Sequence, residues 1–403
     1  MDIWNEALAV EDYVIRCRRY LHENPELSDK EDNTVAFIIK ELTAMGVSCV
    51  DVPGGGVMGF IHGGKPGKSV LLRADIDALA VQESTKNAFG MDKPVVSKIP
   101  GVSHTCGHDT HAAILLGAVK ILQAHREEFA GEIVLYFERG EESGHGDYYM
   151  VKYLQDNNIH VDSAWGLHIK SFLPTGTMGL IPGGIYAGNT GFNTTIYGEN
   201  ALACGVAIIN SLNTARMRDM NPYEKVTLSV NKLQYQDGVC VVGGTCRYYD
   251  FDKAGTPMRD AIARIIGETV AAYGCTTKAP VKRGGGTRGV INNETCYEIA
   301  KSAIAKVIGE DKIAAHDPTM GAESFSILSS YYPSFYASLG AGYPGKPLIS
   351  NNHNPAFDPD EAAFKTGVAA TIAYALEFLA YDEPIEFTPF VGNIDEYLEA
   401  NRR

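Results

Sequence analysis

The chain reads as a two-domain α/β protein: a larger domain with a mostly parallel sheet and helices on both faces, carrying an inserted ferredoxin-like βαββαβ unit. Three observations predict this. The 403 residues exceed what one hydrophobic core ordinarily organises. In the first half, apolar strand-like runs alternate with helical periodicity, the pattern of a layered sheet. In the middle, two strand-like runs, 225–236 and 239–250, meet at Asp237-Gly238, a strong hairpin signal.

Taken in order, residues 9–45 have helical apolar periodicity, broken at Asn24-Pro25 and closed by Gly46. Residues 58–62 and 69–72, separated by a Gly/Lys/Pro-rich turn, predict the two strands of a hairpin. Arg73-Ala74-Asp75-Ile76-Asp77 follows, at a strand end where open α/β sheets tend to place functional groups. A helix is expected over 111–129 and buried strands over 132–137 and 163–168. The middle then gives strand 191–198, helix 201–219, the hairpin, helix 255–273 and strand 275–282, the βαββαβ order. Gly284-Gly285-Gly286 marks a return hinge, followed by helices over 295–308 and 360–379. The expected division is therefore 1–188 with 287–382, an insert at 189–286, and an acidic tail, 383–403, without clear period.

A hydrophobic content of 45% with 21% charged residues fits a globular enzyme. The net charge of −14 argues against nucleic acid and anionic membrane surfaces as partners, since an acidic field repels both. Residues 1–13 lack the apolar core of a signal peptide, and no apolar run is expected to span a bilayer. Eight cysteines without paired spacing point to reduced thiols and a cytoplasmic setting.

The chemistry is concentrated in His104-Thr105-Cys106-Gly107-His108-Asp109 and in Glu141-Glu142, which follow an apolar strand. A thiolate and an imidazole two residues apart are ligands for first-row metals. In an extended segment, Cys106 and His108 would point to the same side. Adjacent carboxylates repel unless a cation neutralises them, and one can bind metal while its neighbour serves as proton acceptor. His168 and His353 would complete such a site, although a single histidine is more often a structural hydrogen-bonding group. Asp75 and Asp77 share a strand face, and either would orient a ligating imidazole. The candidate catalytic groups are one carboxylate of the Glu141-Glu142 pair and Asp75. These features predict a metal-dependent hydrolase.

Together the motifs resemble the M20 metallopeptidase family, in its branch of N-acyl-amino-acid amidohydrolases. That branch includes hippurate hydrolases, indole-acetyl-amino-acid hydrolases and N-acetyl-diaminopimelate deacetylases. The likeness runs from Arg19-Tyr20-Leu21-His22-Glu23-Asn24-Pro25-Glu26-Leu27-Ser28, through Arg73-Ala74-Asp75-Ile76-Asp77-Ala78-Leu79 and the Cys106 loop, to the final helix. The resemblance implies Cys106, His108, Glu142, His168 and His353 as ligands of two divalent ions. Zinc or manganese is expected, with cobalt and nickel compatible. It implies that the ions lower the pKa of a water, whose proton Glu141 takes and later delivers to the departing amine. The substrate would be an N-acyl amino acid or a related small amide or dipeptide. The inserted unit would act as lid and dimerisation surface, giving a homodimer or higher oligomer.

Four departures from the family pattern stand out. Family lids carry a Gly-Gly-His segment between the first strand and helix; here Tyr197-Gly198-Glu199-Asn200 runs directly to Ala201. Residues 191–282 contain no histidine, and Asp237-Gly238-Val239-Cys240 replaces an Asn-Val-Ile-Pro segment. Ser324 follows Glu323 where the family usually has Asp, and His145 stands at a usual glycine, where it would offer a donor from the larger domain. An alternative follows: a metal-binding subunit, or pseudoenzyme, that needs a paralogous partner to supply the missing histidine.

Overall fold

The computed structural model describes residues 1–144, 146–277 and 286–402, which form two compact units. The first comprises Met1–Gly183, Asn292–His316 and Tyr331–Pro389. The second comprises Gly184–Ile291, Asp317–Ser330 and the residues from Phe390 onward. Residues 317–330 and the C-terminal residues thus group with the second unit, where the sequence had assigned them to the larger domain and to a tail. His145 and most of the 284–286 hinge lie outside the described residues, as does the expected strand beyond Thr277.

The first unit is built on an eight-stranded sheet. Its spatial order is Ser48–Val52, Gly56–His62, Ala130–Glu138, Lys65–Asp75, Ser163–Pro174, Ser334–Gly342, Met178–Gly179 and Ile313–Ala314. The four central strands are parallel. Side chains alternate across the sheet with period two. Val70, Leu72, Ala74, Ile133, Leu135 and Phe137 join the main core with helices Glu11–Glu23, His108–Ala124, Glu294–Ile308 and Phe364–Ala380. From the opposite face, the buried Tyr136 hydroxyl donates to Asp147 of helix Gly146–Asp156 at 2.6 Å. Helices therefore cover both faces.

The hairpin expected from 58–62 and 69–72 does not form. Gly56–His62 and Lys65–Asp75 are not paired with each other; Ala130–Glu138 lies between them, antiparallel to the first and parallel to the second. Glycines make the insertion possible. The Gly63 and Gly64 N–H groups donate to carbonyls of Gly131 and Phe129. A Cβ at Gly63, Gly64 or Gly67 would stand under 3 Å from backbone atoms of the entering chain. What read as a tight turn is a notch that admits a third strand.

Segment 361–380 is long and apolar enough to cross a membrane, contrary to the sequence expectation, and most of it is buried inside the fold. It is a core helix surrounded on nearly all sides, so it lacks a polar stripe.

The second unit has a four-stranded antiparallel sheet, ordered Thr276–Thr277, Gly188–Tyr197, Val239–Tyr248 and Val226–Gln236. Helices Ala201–Asp219 and Thr256–Ala272 supply Cys204, Ile208, Leu212, Met258, Ile262 and Ile266 to its core. Strand–helix–strand–strand–helix–strand order is as expected, with only residues 198–200 joining the first strand to its helix. In the acidic C-terminal segment, a helix forms over Ile394–Arg402. Asn393 and Glu396 cap it reciprocally: the Glu396 N–H donates to Asn393 Oδ1 at 2.9 Å and the Asn393 N–H to Glu396 Oε2 at 2.8 Å.

Candidate metal centre

The centre begins at a turn. Gly107 has φ +101°, a conformation that disfavours side chains, and a Cβ there would lie 2.5 Å from Ile169 Cγ2. The helix starts at the next residue, His108. Cys106 and His108 are therefore brought together by a left-handed turn, not by the extended alternation the sequence suggested.

His168 enters from Ser163–Pro174, and His353 from an irregular loop in which it too has positive φ, +63°. Cys106 Sγ lies 3.3 Å from His168 Nε2 and 3.3 Å from His353 Nε2. His353 Nε2 is also 3.1 Å from Glu142 Oε1. Ligand atoms of Cys106, His108 and His168 lie within 4.8 Å of one another, as do those of Cys106, Glu142 and His353, and those of His108, Glu141 and Glu142. The six residues picked from the sequence thus converge, with Cys106, His108 and His168 buried and His353 half-exposed.

The supporting bonds set the ring orientations. Asp77 Oδ1 lies 2.9 Å from His108 Nδ1, while Oδ2 accepts from Ser28 Oγ at 2.6 Å and from the Glu142 N–H at 3.0 Å. One carboxylate thereby fixes both an imidazole and the acidic turn. His168 Nδ1 is 2.8 Å from the Ile169 carbonyl, which leaves Nε2 facing Cys106.

Asp75 lies one layer behind. Its Oδ1 is 2.6 Å from His111 Nδ1, and Oδ2 accepts from Arg73 at 2.8 Å. Because the Ile169 N–H donates to His111 Nε2 at 2.9 Å, the His111 proton sits on Nδ1, and both ring nitrogens are engaged. Asp75, His108 and His111 are close enough to suggest a separate ion site, but His111 has no lone pair left to give it. The hydrogen bond that orients His108 comes from Asp77; Asp75 Oδ2 stands 3.6 Å from His108 Nε2, and Asp75 orients His111 and, through it, the backbone beside His168. No sequence signal separated these two aspartates.

Electrostatics favour a cation here. Burial pushes the Cys106 thiol up to about 12, so a nearby positive ion is what would make it a thiolate. Burial also works against a charge on Asp77, but bonds from His108, Ser28 and the Glu142 amide outweigh it and hold the carboxyl below its usual range. The donor set of one soft sulfur, imidazoles and carboxylates suits a borderline divalent ion.

Glu31, wholly buried, accepts the Gly140 N–H at 2.8 Å and anchors the approach to the acidic turn. Burial raises its carboxyl from 4.5 to about 7. A carboxyl raised on folding is best tolerated when protonated, so its contribution to stability falls as pH rises from 4.5 to about 7 and is level above. Glu31→Gln keeps the acceptor and removes the charge. Urea melts are expected to show it more stable than wild type by on the order of 1–3 kcal/mol at pH 8, and no different at pH 4.5.

The chain matches the model of Peptidase family M20/M25/M40 over residues 71–377. It is 31% identical over 397 residues to Thermostable carboxypeptidase 2 of Saccharolobus solfataricus, covering 93% of this chain and 97% of that protein. With IAA-amino acid hydrolase ILR1-like 2 of Arabidopsis thaliana it shares 28% identity over 395 residues, covering 91% and 85%. A dinuclear metal-binding peptidase of the M20 family from Bacillus subtilis superposes with a TM-score of 0.78 at 27% identity, covering 92% of this chain and 99% of that one. The extent of these matches, together with the ligand cluster, establishes that the chain belongs to peptidase family M20/M25/M40.

Proposed function

We propose that the protein is a metal-dependent amidohydrolase that cleaves the amide bond of an N-acyl amino acid or a related small amide or dipeptide. The observation that carries this reading is the convergence of Cys106, His108, Glu142, His168 and His353 beside Glu141. The overlapping ligand groups share Cys106 and His108, which favours two adjacent ion positions. Two divalent ions, zinc or manganese, would supply Lewis acidity towards the amide carbonyl and acidify a water. Glu141 takes the proton of the attacking water and returns it to the leaving nitrogen. Asp77 holds His108 and the acidic turn in register, and Asp75 acts through His111. The relatives' printed activities, carboxypeptidase and IAA-amino acid hydrolase, both break an amide next to an amino-acid carboxylate. That supports the substrate class.

Turnover of N-acyl amino acids and dipeptides by the purified chain, abolished by a chelator and restored by Zn²⁺ or Mn²⁺, is the test. A fully loaded protein that cleaves no member of such a panel would overturn the reading. Eight free cysteines support a reducing, cytoplasmic setting.

A homodimer through the second unit is supported by Val226–Gln236, which ends the sheet order and exposes Leu233 and Tyr235. Such an edge invites pairing. Light scattering is expected to give twice the chain mass, with Leu228→Pro on that strand shifting it to the monomer.

A further inference from the structure

His353 sits in an irregular loop with a backbone conformation that a non-glycine residue adopts only under constraint. The constraint is visible. The His353 N–H donates to the Thr105 carbonyl at 2.8 Å, and Asn352 Nδ2 to the Cys106 carbonyl at 3.0 Å. Two residues on, the Pro355 carbonyl accepts from the Ser84 N–H at 3.0 Å and from Lys93 Nζ at 2.8 Å.

Lys93 is an unusual choice for this contact, because its side chain is 1% exposed and a buried ammonium is costly unless paired. The pairing extends well beyond one carboxylate. Lys93 Nζ lies 2.8 Å from Glu83 Oε1, which lies 2.9 Å from His22 Nε2. His22 Nδ1 lies 2.7 Å from Asp109 Oδ2, which lies 2.9 Å from Arg18 Nε. A ring with a carboxylate on each nitrogen carries both protons, so the charges alternate along the chain: plus, minus, plus, minus, plus. Every side chain in it is at most 3% exposed. One link, Asp109, is adjacent to His108 in sequence, and the terminal lysine reaches the carbonyl two residues beyond His353.

We propose that Lys93 is a positioning residue for His353, the terminal link of a buried ion chain that fixes the His353 loop against the Cys106–Asp109 loop. The inference rests on the reading of His353 as a metal ligand. Without Lys93, the Pro355 carbonyl keeps only the Ser84 bond, and the loop loses its tie to Asp109. The left-handed conformation at His353 then rests on the Thr105 and Cys106 carbonyl bonds without support from the far side of the loop.

The test is a double-mutant cycle on Zn²⁺ affinity, measured on the full chain by competition with a chromophoric chelator. His353→Ala and Lys93→Met are each expected to weaken the looser Zn²⁺ by about 10- to 100-fold. In the His353→Ala background, Lys93→Met should cost no more than about twofold, because the ligand it positions is gone. Lys86→Met, a surface lysine of the same segment, should leave affinity unchanged. If Lys93→Met binds like wild type, or costs the same factor in both backgrounds, Lys93 is not a positioning residue although His353 is a ligand. Wild-type affinity in His353→Ala would overturn both readings. Should Lys93→Met fail to fold, Lys93→Leu, which likewise removes the donor to the Pro355 carbonyl, is held to the same criteria.

Discussion

Glu141→Gln is expected to lower kcat by about 10²- to 10⁴-fold while leaving metal content and KM nearly unchanged. Gln keeps the length and polarity of the side chain but cannot accept a proton. Glu141 stands with His108 and Glu142 within 4.8 Å, close enough to reach a water shared with bound ions. Its neighbour Glu142 points towards His353, so the two adjacent carboxylates divide between binding and proton transfer. Single-turnover kinetics with parallel metal analysis checks this. Loss of metal in the variant would move Glu141 into the ligand set, and activity within tenfold of wild type would remove it from the mechanism.

Asp77→Ala is the second large effect. Three groups lean on that carboxylate: the His108 ring, the Ser28 hydroxyl and the Glu142 peptide N–H. Removing the partner of a ligating imidazole typically costs about 10- to 100-fold in metal affinity, and here Glu142 is released as well. The variant also leaves the part-buried Glu142 amide without its acceptor, at about 1 kcal/mol. Calorimetric titration of Zn²⁺ into the metal-free chain should show at least one ion weakened by that factor. Asp75→Ala should have a smaller effect on affinity, because its hydrogen bonds go to His111 and Arg73 and it approaches the His108 ring only at 3.6 Å. Equal losses in the two variants would contradict the division of labour between the aspartates.

Much of the architecture was legible because it follows from periodicity. The helix over Ala201–Asp219 and the hairpin at Asp237-Gly238 formed where the sequence placed them. The exceptions have separate causes. Ser334–Gly342 is buried along its whole length, so it shows no alternation to read. Gly56–His62 and Lys65–Asp75 are adjacent in sequence but separated in space, because pairing is decided by a strand that arrives some sixty residues later. The Ile394–Arg402 helix had a signal that apolar periodicity misses, its Asn393/Glu396 cap. At the centre, residue types and spacing identified the converging donors. The supporting groups were invisible, since nothing local marks Lys93 or Glu83 as buried, or tells Asp77 from Asp75.

The topology also favours an order of assembly. Ser334–Gly342 must find Ser163–Pro174 across the whole insert, a long loop to close. Within the second unit, however, the Thr287 N–H donates to the Asn189 carbonyl at 2.8 Å, and Thr190 bridges Gly286. Once its Gly184–Ile291 segment has folded, the two ends of that segment are stapled together, and the intervening hundred or so residues no longer count as slack. The remaining loop is then entropically cheaper by about 1 kcal/mol. An insert that folds early acts as a splice, handing the chain back next to where it left.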